Sequence, residues 1–310
     1  MIRRQEYDGL VWIDLETPTT EEVGQIASEY GVHPLVAEEL SLPSRRSRVD
    51  RYADFIYLIL HFPICSVCYG QPVSNGQDHE EIDFVIGKNF LLTVHYQPIE
   101  GLTEFARVFV ATRLKETSTR RDDVHAGHLF FYLVKHLYGS LSTGFDYINS
   151  LLKQAEQKIF SGEEKAMVRL LSSVNRDLLD FRWTLKTHRQ TLDSLVIVTR
   201  DFFDQNFQYY LSAILGEYEK IWTMLENNHE TFLDLRQTND SLLSIKTNET
   251  MKVLAVLAFI FFPLTIVAQF FSMNTSLPLV GQPHDLFFVL GIMVLLISFM
   301  FALAKERRWL

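Results

Sequence analysis

The chain has 310 residues, 47% of them apolar and 22% charged, and a formal net charge of −9 at pH 7. This composition is close to the globular average and is sufficient for a soluble domain of ordinary size. The acidic balance argues against a nucleic-acid partner, because binding to phosphate backbones depends mainly on Lys and Arg contacts. The start of the chain is polar up to Leu10, so we expect no cleaved secretory signal and place the amino-terminal domain in the cytosol.

Residues 1–97 are predicted to form the α/β part of this cytosolic domain. A buried strand is expected at residues 10–15, and a capped amphipathic helix at residues 20–30 is ended by Gly31. Short runs rich in Val, Ile, Phe and Tyr follow, at residues 47–52, 55–62, 81–86 and 90–96. These runs predict a sheet with helices around it.

The two cysteines, Cys65 and Cys68, have the spacing Cys-x-x-Cys, and His61 and His79 are not far away in the sequence. A structural zinc site usually needs a second pair of ligands, and a redox motif is expected at a helix start within a βαβ unit. Here the pair follows a strand-like run and precedes the turn-rich residues 70–76. We therefore expect two reduced hairpin cysteines, with a metal or redox role as the alternative.

Residues 98–204 are predicted to be the helical part of the cytosolic domain. No proline occurs between Pro98 and Pro263, and strong helix formers alternate with apolar residues at three-to-four spacing. Breaks are expected near Ser161-Gly162 and between residues 199 and 205. Beyond residue 205 no convincing stop signal occurs, so residues 205–250 are predicted to be a cytosolic stalk helix that continues into the next segment.

The last sixty residues predict a membrane hairpin. Charged side chains are absent from residues 253–284 and again from residues 286–304, and about 20 apolar residues are enough for a helix to cross a membrane. We predict a first transmembrane helix at 251–272, an external loop at 273–285 and a second transmembrane helix at 286–304. The basic tail, residues 305–310, predicts that both termini lie in the cytoplasm and that the chain is a multi-pass protein of the inner membrane.

A helix from about residue 205 to residue 272 would be on the order of 100 Å long. Such a helix needs partner helices along its apolar stripe, and the same helix in neighbouring subunits is the natural source of them. Two spans in one chain cannot enclose a water-filled path, whereas several copies around a symmetry axis can. The sequence therefore predicts a membrane-embedded bundle of identical chains.

One face of the first span combines polar, small and flexible side chains. Counting back from Asn274 in helical steps gives residues that share roughly one face and suit the lining of a pore: Gln269, Thr265, Phe262, Ala258, Ala255, Met251 and Asn248. Polar rings can hold a hydrated ion and apolar rings can close the path by excluding water. Plain helix packing is the alternative, since small residues are favoured there too. Pro263 is a candidate hinge, with an ordinary membrane-helix kink as its alternative.

Asn274 is a neutral oxygen ligand, which suits a divalent cation that keeps its water shell. Mg²⁺ loses water reluctantly, and amide carbonyls can accept hydrogen bonds from its coordinated waters. No carboxylate lies in the first span. Asn274 is thus predicted to contact the hydrated ion.

Enzyme activity is not indicated by any motif. Gly139 and Gly144 have the separation of a phosphate-binding loop, but Phe145 stands where lysine is needed. Gly-x-Ser-x-Gly, His-Glu-x-x-His and Asp-x-Asp metal-loop patterns are absent from the sequence. We expect neither an enzyme nor a bound cofactor.

Several segments resemble the CorA family of divalent-cation transporters. The match is carried by residues 246–254, by Phe262-Pro263-Leu264-Thr265, by Ser272-Met273-Asn274, and by Trp12-Ile13-Asp14, His33-Pro34-Leu35 and Arg48-Val49-Asp50 in the amino-terminal third. The resemblance covers nearly the whole chain. It implies an α/β cytosolic funnel domain with a long stalk helix, followed by a two-helix transmembrane hairpin, in a CorA-like homopentameric channel.

The resemblance also implies roles for individual residues. Ser272, Met273 and Asn274 match the selectivity filter, and Mg²⁺ is the usual substrate. Asn248, Met251, Leu254, Phe262 and Thr265 match positions that line the family's pore, which adds Leu254 to the predicted pore-lining residues. The family signature is Gly-Met-Asn, so Ser272 is a departure, as are Gln269 and Phe262. These departures keep transport of zinc, Co²⁺, Ni²⁺ or Mn²⁺ by a ZntB-like divergent member open, and a non-conducting CorA-like membrane scaffold is a further alternative.

Overall fold

The computed structural model describes residues 1–7, 9–44, 46–65, 68, 79–112, 125–272 and 285–307. Within these residues the chain separates into two compact units, Met1–Arg236 and Gln237–Leu310. The first unit contains a six-stranded sheet and most of the helices. The second contains the two apolar helical segments.

The sheet of the first unit is mixed. Its strands are β1 (Ile2–Tyr7), β2 (Leu10–Glu16), β3 (Arg48–Arg51), β4 (Phe55–Pro63), β5 (His79–Gly87) and β6 (Phe90–His95). Their order across the sheet is β1-β2-β6-β5-β4-β3, with the pair β2–β6 parallel and the other neighbours antiparallel. The four short runs and the strand at 10–15 that the sequence predicts are therefore confirmed as strands.

Helices cover both faces of this sheet. On one face, α1 (Thr20–Tyr30) and α2 (Pro34–Glu39) contribute Val23, Ile26 and Val36 to a buried cluster. On the other face, rings from α3 (Glu100–Thr112) and α4 (Ala126–Phe160) meet rings of the strands, with centroid distances of 5.5 Å for Trp12–Phe105 and 5.3 Å for Phe84–Phe130. Burial on both faces explains why β4 is apolar over its whole length.

Local sequence sets the ends of α1. The side chain of Thr19 accepts a hydrogen bond from the Glu22 N–H, the Glu22 side chain accepts one from the Thr19 N–H, and Gly31 at the other end has φ 67°. A residue with a Cβ would be strained in this left-handed conformation, so the predicted end at Gly31 is confirmed.

The remaining helices follow α4 along the chain. They are α5 (Glu164–Leu185), α6 (His188–Thr199), α7 (Phe207–Ser272) and α8 (Asp285–Glu306). The ends of α4 and α6 fall at the two predicted breaks. A single helix runs from Phe207 to Ser272 through Pro263, which confirms the prediction of one continuous helix. The division of the chain into cytosolic and membrane segments stays a prediction.

The expectation of two reduced cysteines is wrong. Cys65 and Cys68 form a disulfide, with their Cα atoms 5.3 Å apart. A hydrogen bond of 3.2 Å from the Cys68 N–H to the Cys65 carbonyl holds the two residues at a separation that suits the bond. Among the residues that the structure describes, no group of three or more His, Cys, Asp and Glu side chains could hold a metal ion, so the zinc alternative gains no support here.

Candidate functional site

Helix α7 carries all of the predicted pore residues that the structure describes. Asn248, Met251, Leu254, Ala258, Phe262, Thr265, Gln269 and Ser272 lie on this one helix and are all exposed in the single chain. Met273 and Asn274, the rest of the predicted selectivity filter, lie outside the described residues, as does most of the predicted external loop. The structure therefore describes the residues of the predicted pore face and Ser272 of the predicted filter, but not Met273 and Asn274.

The opposite face of α7 is the one covered by protein. Between residues 251 and 272 the fully buried side chains are Val256 and Leu264, and the half-buried ones are Ile260, Pro263, Val267 and Phe271. At about 100° per residue, these six residues share one side of the helix, and the predicted pore residues are centred on the other side. The predicted pore face is thus left without a partner in the single chain.

Helix α8 has the same one-sided packing. Its buried or half-buried residues recur at three- and four-residue intervals: Val289, Ile292, Met293, Leu296, Met300, Leu303 and Ala304. This periodicity marks one stripe of the helix. Each of the two apolar helices of the second unit therefore has one covered stripe, as expected for helices that pack side by side.

Length and composition allow both apolar helices to cross a membrane. The qualifying segments are Phe207–Ser272 and Phe287–Glu306, and only 11% and 6% of their most apolar windows are buried. A core helix of a soluble protein would be mostly covered by its own chain. These two segments instead present apolar side chains outward, which suits contact with lipid or with other subunits.

The predicted pore face combines large apolar side chains with polar ones. Met251, Leu254 and Phe262 are 61%, 55% and 69% exposed. About one helical turn beyond Phe262, the hydroxyl of Thr265 donates a 2.7 Å hydrogen bond to the Phe262 carbonyl. The hydroxyl proton is therefore used within the helix, and the hydroxyl oxygen can still accept a hydrogen bond. If copies of this face surround an axis, the apolar residues form constrictions and the polar residues form rings of acceptors.

Two polar residues at the end of α7 border a common space. Gln269 and Ser272 line a recess of about 470 Å³ together with Ile266 and Phe270. A side-chain amide and a hydroxyl thus border the same recess. Ile266 and Phe270 were not singled out from the sequence, because isolated apolar residues in an apolar helix give no signal that separates lipid contact from pore contact.

Charged residues stop just before the apolar part of the helix. Lys246, Glu249 and Lys252 are exposed, and no Asp, Glu, Lys or Arg follows on α7. An ion passing the described part of the predicted pore face would meet neutral oxygen atoms and no carboxylate. Neutral acceptors can hold a hydrated cation without replacing its water shell.

Comparison with known proteins gives a consistent picture. The family model described as "CorA-like Mg²⁺ transporter protein" matches residues 7–306. The cobalt/magnesium transport protein CorA of Thermotoga maritima is 22% identical over 96% of this chain and 85% of its own. The magnesium transport protein CorA of Pasteurella multocida is 24% identical over 98% of this chain and 93% of its own.

Among solved structures, the complete CorA magnesium transporter from Methanocaldococcus jannaschii superposes with a TM-score of 0.80 at 20% sequence identity. The match covers 99% of this chain and 93% of that one. At this identity the similarity establishes the fold, from the α/β unit to the second apolar helix.

Proposed function

This chain belongs to the family of CorA-like Mg²⁺ transporter proteins, and from that premise we propose that it is a membrane channel for divalent cations, with Mg²⁺ as its principal substrate. In this proposal the protein lies in the inner membrane with both termini in the cytoplasm. Five copies surround one axis, each contributing α7 to the pore, and α8 lies outside it.

The observation that carries the proposal is the one-sided packing of α7. Val256 and Leu264 are covered, while the face with Asn248, Met251 and Thr265 is exposed. Amide and hydroxyl groups in hydrocarbon are costly unless they face protein or water. Assembly around a water-filled axis gives these polar groups an aqueous environment.

The chemistry of the proposed filter favours a hydrated ion. Asn274 supplies one amide per subunit, and Ser272 adds a hydroxyl where the family signature has glycine. A ring of such groups can accept hydrogen bonds from waters bound to Mg²⁺, whereas a ring of carboxylates would bind the bare ion and slow its release. Neutral ligands therefore support passage with the water shell retained.

Entry of a divalent cation needs no chemical energy source. Moving two positive charges inward across an inside-negative membrane gains about 4.6 kcal/mol per 100 mV. The membrane potential is sufficient to drive uptake. This agrees with the absence of a phosphate-binding loop in the sequence.

The proposal is tested by ion flux into dye-loaded proteoliposomes under an imposed inside-negative potential. Mg²⁺, Zn²⁺, Co²⁺, Ni²⁺ and Mn²⁺ are compared for the native chain, for Asn274→Ala and for Asn206→Ala. The second variant is the control, because it removes an exposed amide from the residue just before α7, at the end of that helix far from the filter. We expect Mg²⁺ uptake that Asn274→Ala abolishes or makes unselective and that Asn206→Ala leaves unchanged.

Three other outcomes would contradict the proposal in different ways. Zinc or cobalt flux without Mg²⁺ flux would make the chain a transition-metal transporter. Equal flux in the native chain and in Asn274→Ala would show that Asn274 is not part of the selectivity filter. No flux of any ion would favour a membrane scaffold.

A further inference from the structure

A polar cavity lies in the first unit, and none of its lining residues is a predicted pore residue. Its volume is about 620 Å³, and it lies between strands β3 to β5 on one side and helices α5 and α6 on the other. This volume is within the range of pockets that hold small organic ligands, roughly 300–1,000 Å³.

The described lining of this cavity is basic in a chain that is acidic overall. It contains Arg46, Arg48, His61 and His79, and no aspartate or glutamate. The charge of Arg48 is largely compensated by ion pairs with Glu39 and with Asp50, the latter at 3.1 Å. Arg46 is exposed and forms no ion pair with a carboxylate among the described residues. Its guanidinium can therefore bind an anion.

The wall next to Arg46 is a chain of hydroxyl groups in fixed positions. His61 Nδ1 lies 3.0 Å from the Ser47 hydroxyl, and His61 Nε2 lies 2.8 Å from the Ser44 carbonyl and 3.4 Å from the Glu81 carboxylate. The Thr187 hydroxyl in turn donates to Ser47 Oγ at 3.2 Å. These contacts hold polar groups in place before a ligand arrives, which lowers the entropy lost on binding.

The remaining side of the cavity offers an aromatic surface. Trp183 on α5 lines the cavity, and 76% of its side chain is exposed. An exposed indole next to a basic pocket can stack against a flat heterocycle such as a nucleobase. Gln190 on α6 lines the same cavity and can both donate and accept hydrogen bonds.

We propose that this cavity binds a nucleoside phosphate, with Arg46 on the phosphates and Trp183 stacked on the base. Guanidinium groups match phosphate geometry, since they donate two parallel hydrogen bonds to one group. Ser47 and Thr187 line the same cavity and offer further hydrogen-bonding groups to such a ligand. Inorganic phosphate would use only the basic end of the cavity, and a nucleoside would use only the aromatic end.

The test is calorimetric titration of the full-length protein in detergent with ATP. Excess EDTA keeps divalent ions out of the experiment, so the result does not depend on ion transport. Adenosine and inorganic phosphate are titrated separately. We expect ATP to bind and each of the two fragments to bind at least about tenfold more weakly, because a charge-assisted hydrogen bond or a base stack is lost.

Substitutions assign the binding to this cavity. Arg46→Gln is expected to raise the Kd for ATP about tenfold, and Trp183→Leu at least about fivefold. Arg200→Gln and Tyr209→Leu are matched controls, since both side chains are exposed and lie outside the cavity lining. Circular dichroism and gel filtration confirm that each variant is folded.

The proposal is overturned by any of three results. These are no binding of ATP, inorganic phosphate binding as tightly as ATP, or an equal effect of the control substitutions and the cavity substitutions.

Discussion

Asp83 is a carboxylic acid with no exposed surface, placed in the middle of strand β5. Its Oδ2 accepts hydrogen bonds of 3.2 Å from the hydroxyls of Tyr57 and Tyr96, while its Oδ1 has no hydrogen-bond partner among the described residues. Burial and the neighbouring carboxylate of Glu81 raise the pKa of Asp83 well above its usual range. The folded protein therefore favours the protonated form of this side chain.

This raised pKa predicts a pH-dependent effect of Asp83→Asn on stability. The native group contributes its full stability below the unfolded pKa, about 3.9, and loses it as pH rises toward the folded pKa. An asparagine stays neutral throughout. We expect the Tm of Asp83→Asn, relative to that of the native protein, to increase between pH 5 and pH 8 when measured on the full chain in detergent.

The exposed Asp234→Asn is the control for this experiment, since its carboxyl group is in contact with solvent. Its Tm difference from the native protein should stay flat over the same pH range. A flat difference for Asp83→Asn as well would show that Asp83 is ionised in the folded protein.

Contacts between individual side chains were the hardest feature to predict from the sequence. The strands that carry Tyr57 and Asp83, and the strand that Tyr96 follows, were predicted. The three side chains meet only because of the order of the strands in the sheet, and nothing local in the sequence encodes this order. The disulfide between Cys65 and Cys68 was missed for a related reason. The spacing alone is compatible with thiols, a metal site or a bond, and only the backbone geometry of the turn distinguishes them.

At the scale of elements, the two faces of α7 predict different consequences for the same substitution. Leu254 lies on the predicted pore face and is 55% exposed, whereas Leu264 lies on the packed face and is 6% exposed. If Leu254 forms an apolar ring that excludes water, Leu254→Ala widens that ring and raises basal flux. Leu264→Ala leaves a cavity in the packed stripe and lowers the Tm.

This matched pair is measured by proteoliposome flux and by thermal unfolding in detergent. We expect increased or less selective flux in Leu254→Ala with little change in Tm, and a lower Tm in Leu264→Ala with selectivity retained. The opposite assignment of the two effects would mean that Leu264, and not Leu254, faces the ion path.

Most elements could be predicted because their signals are local. The capping residues of α1, the alternation of turn residues with Val- and Ile-rich runs, and the lack of proline before Pro263 each act over a few residues. Strand β1 (Ile2–Tyr7) was missed, since its sequence is largely polar. It is an edge strand paired only with β2, so half of its surface needs no apolar cover.

At the scale of the whole molecule, the predicted pore face of α7 is exposed in the single chain. In the proposed assembly, contacts through α7 would bury exposed apolar residues and give the polar ones a shared aqueous axis. The number of copies is carried by the family resemblance, because one-sided packing is compatible with several closed rings. The number of subunits and the face of α7 that is directed toward the symmetry axis therefore need separate measurements.

The number of copies follows from the native mass of the detergent-solubilised complex, which we expect to equal five chains.

The axis is tested by oxidative cross-linking in a Cys65→Ser, Cys68→Ser background. Met251→Cys places a thiol on the predicted pore face and Leu264→Cys places one on the packed face. Around a common axis the Met251→Cys thiols of neighbouring subunits are close together, so oxidation should give covalent dimers in this variant and not in Leu264→Cys. Dimers from Leu264→Cys alone would show that the packed face of α7, and not the predicted pore face, is directed toward the axis. A mass of four or six chains would contradict the pentamer but would not affect the assignment of the pore face.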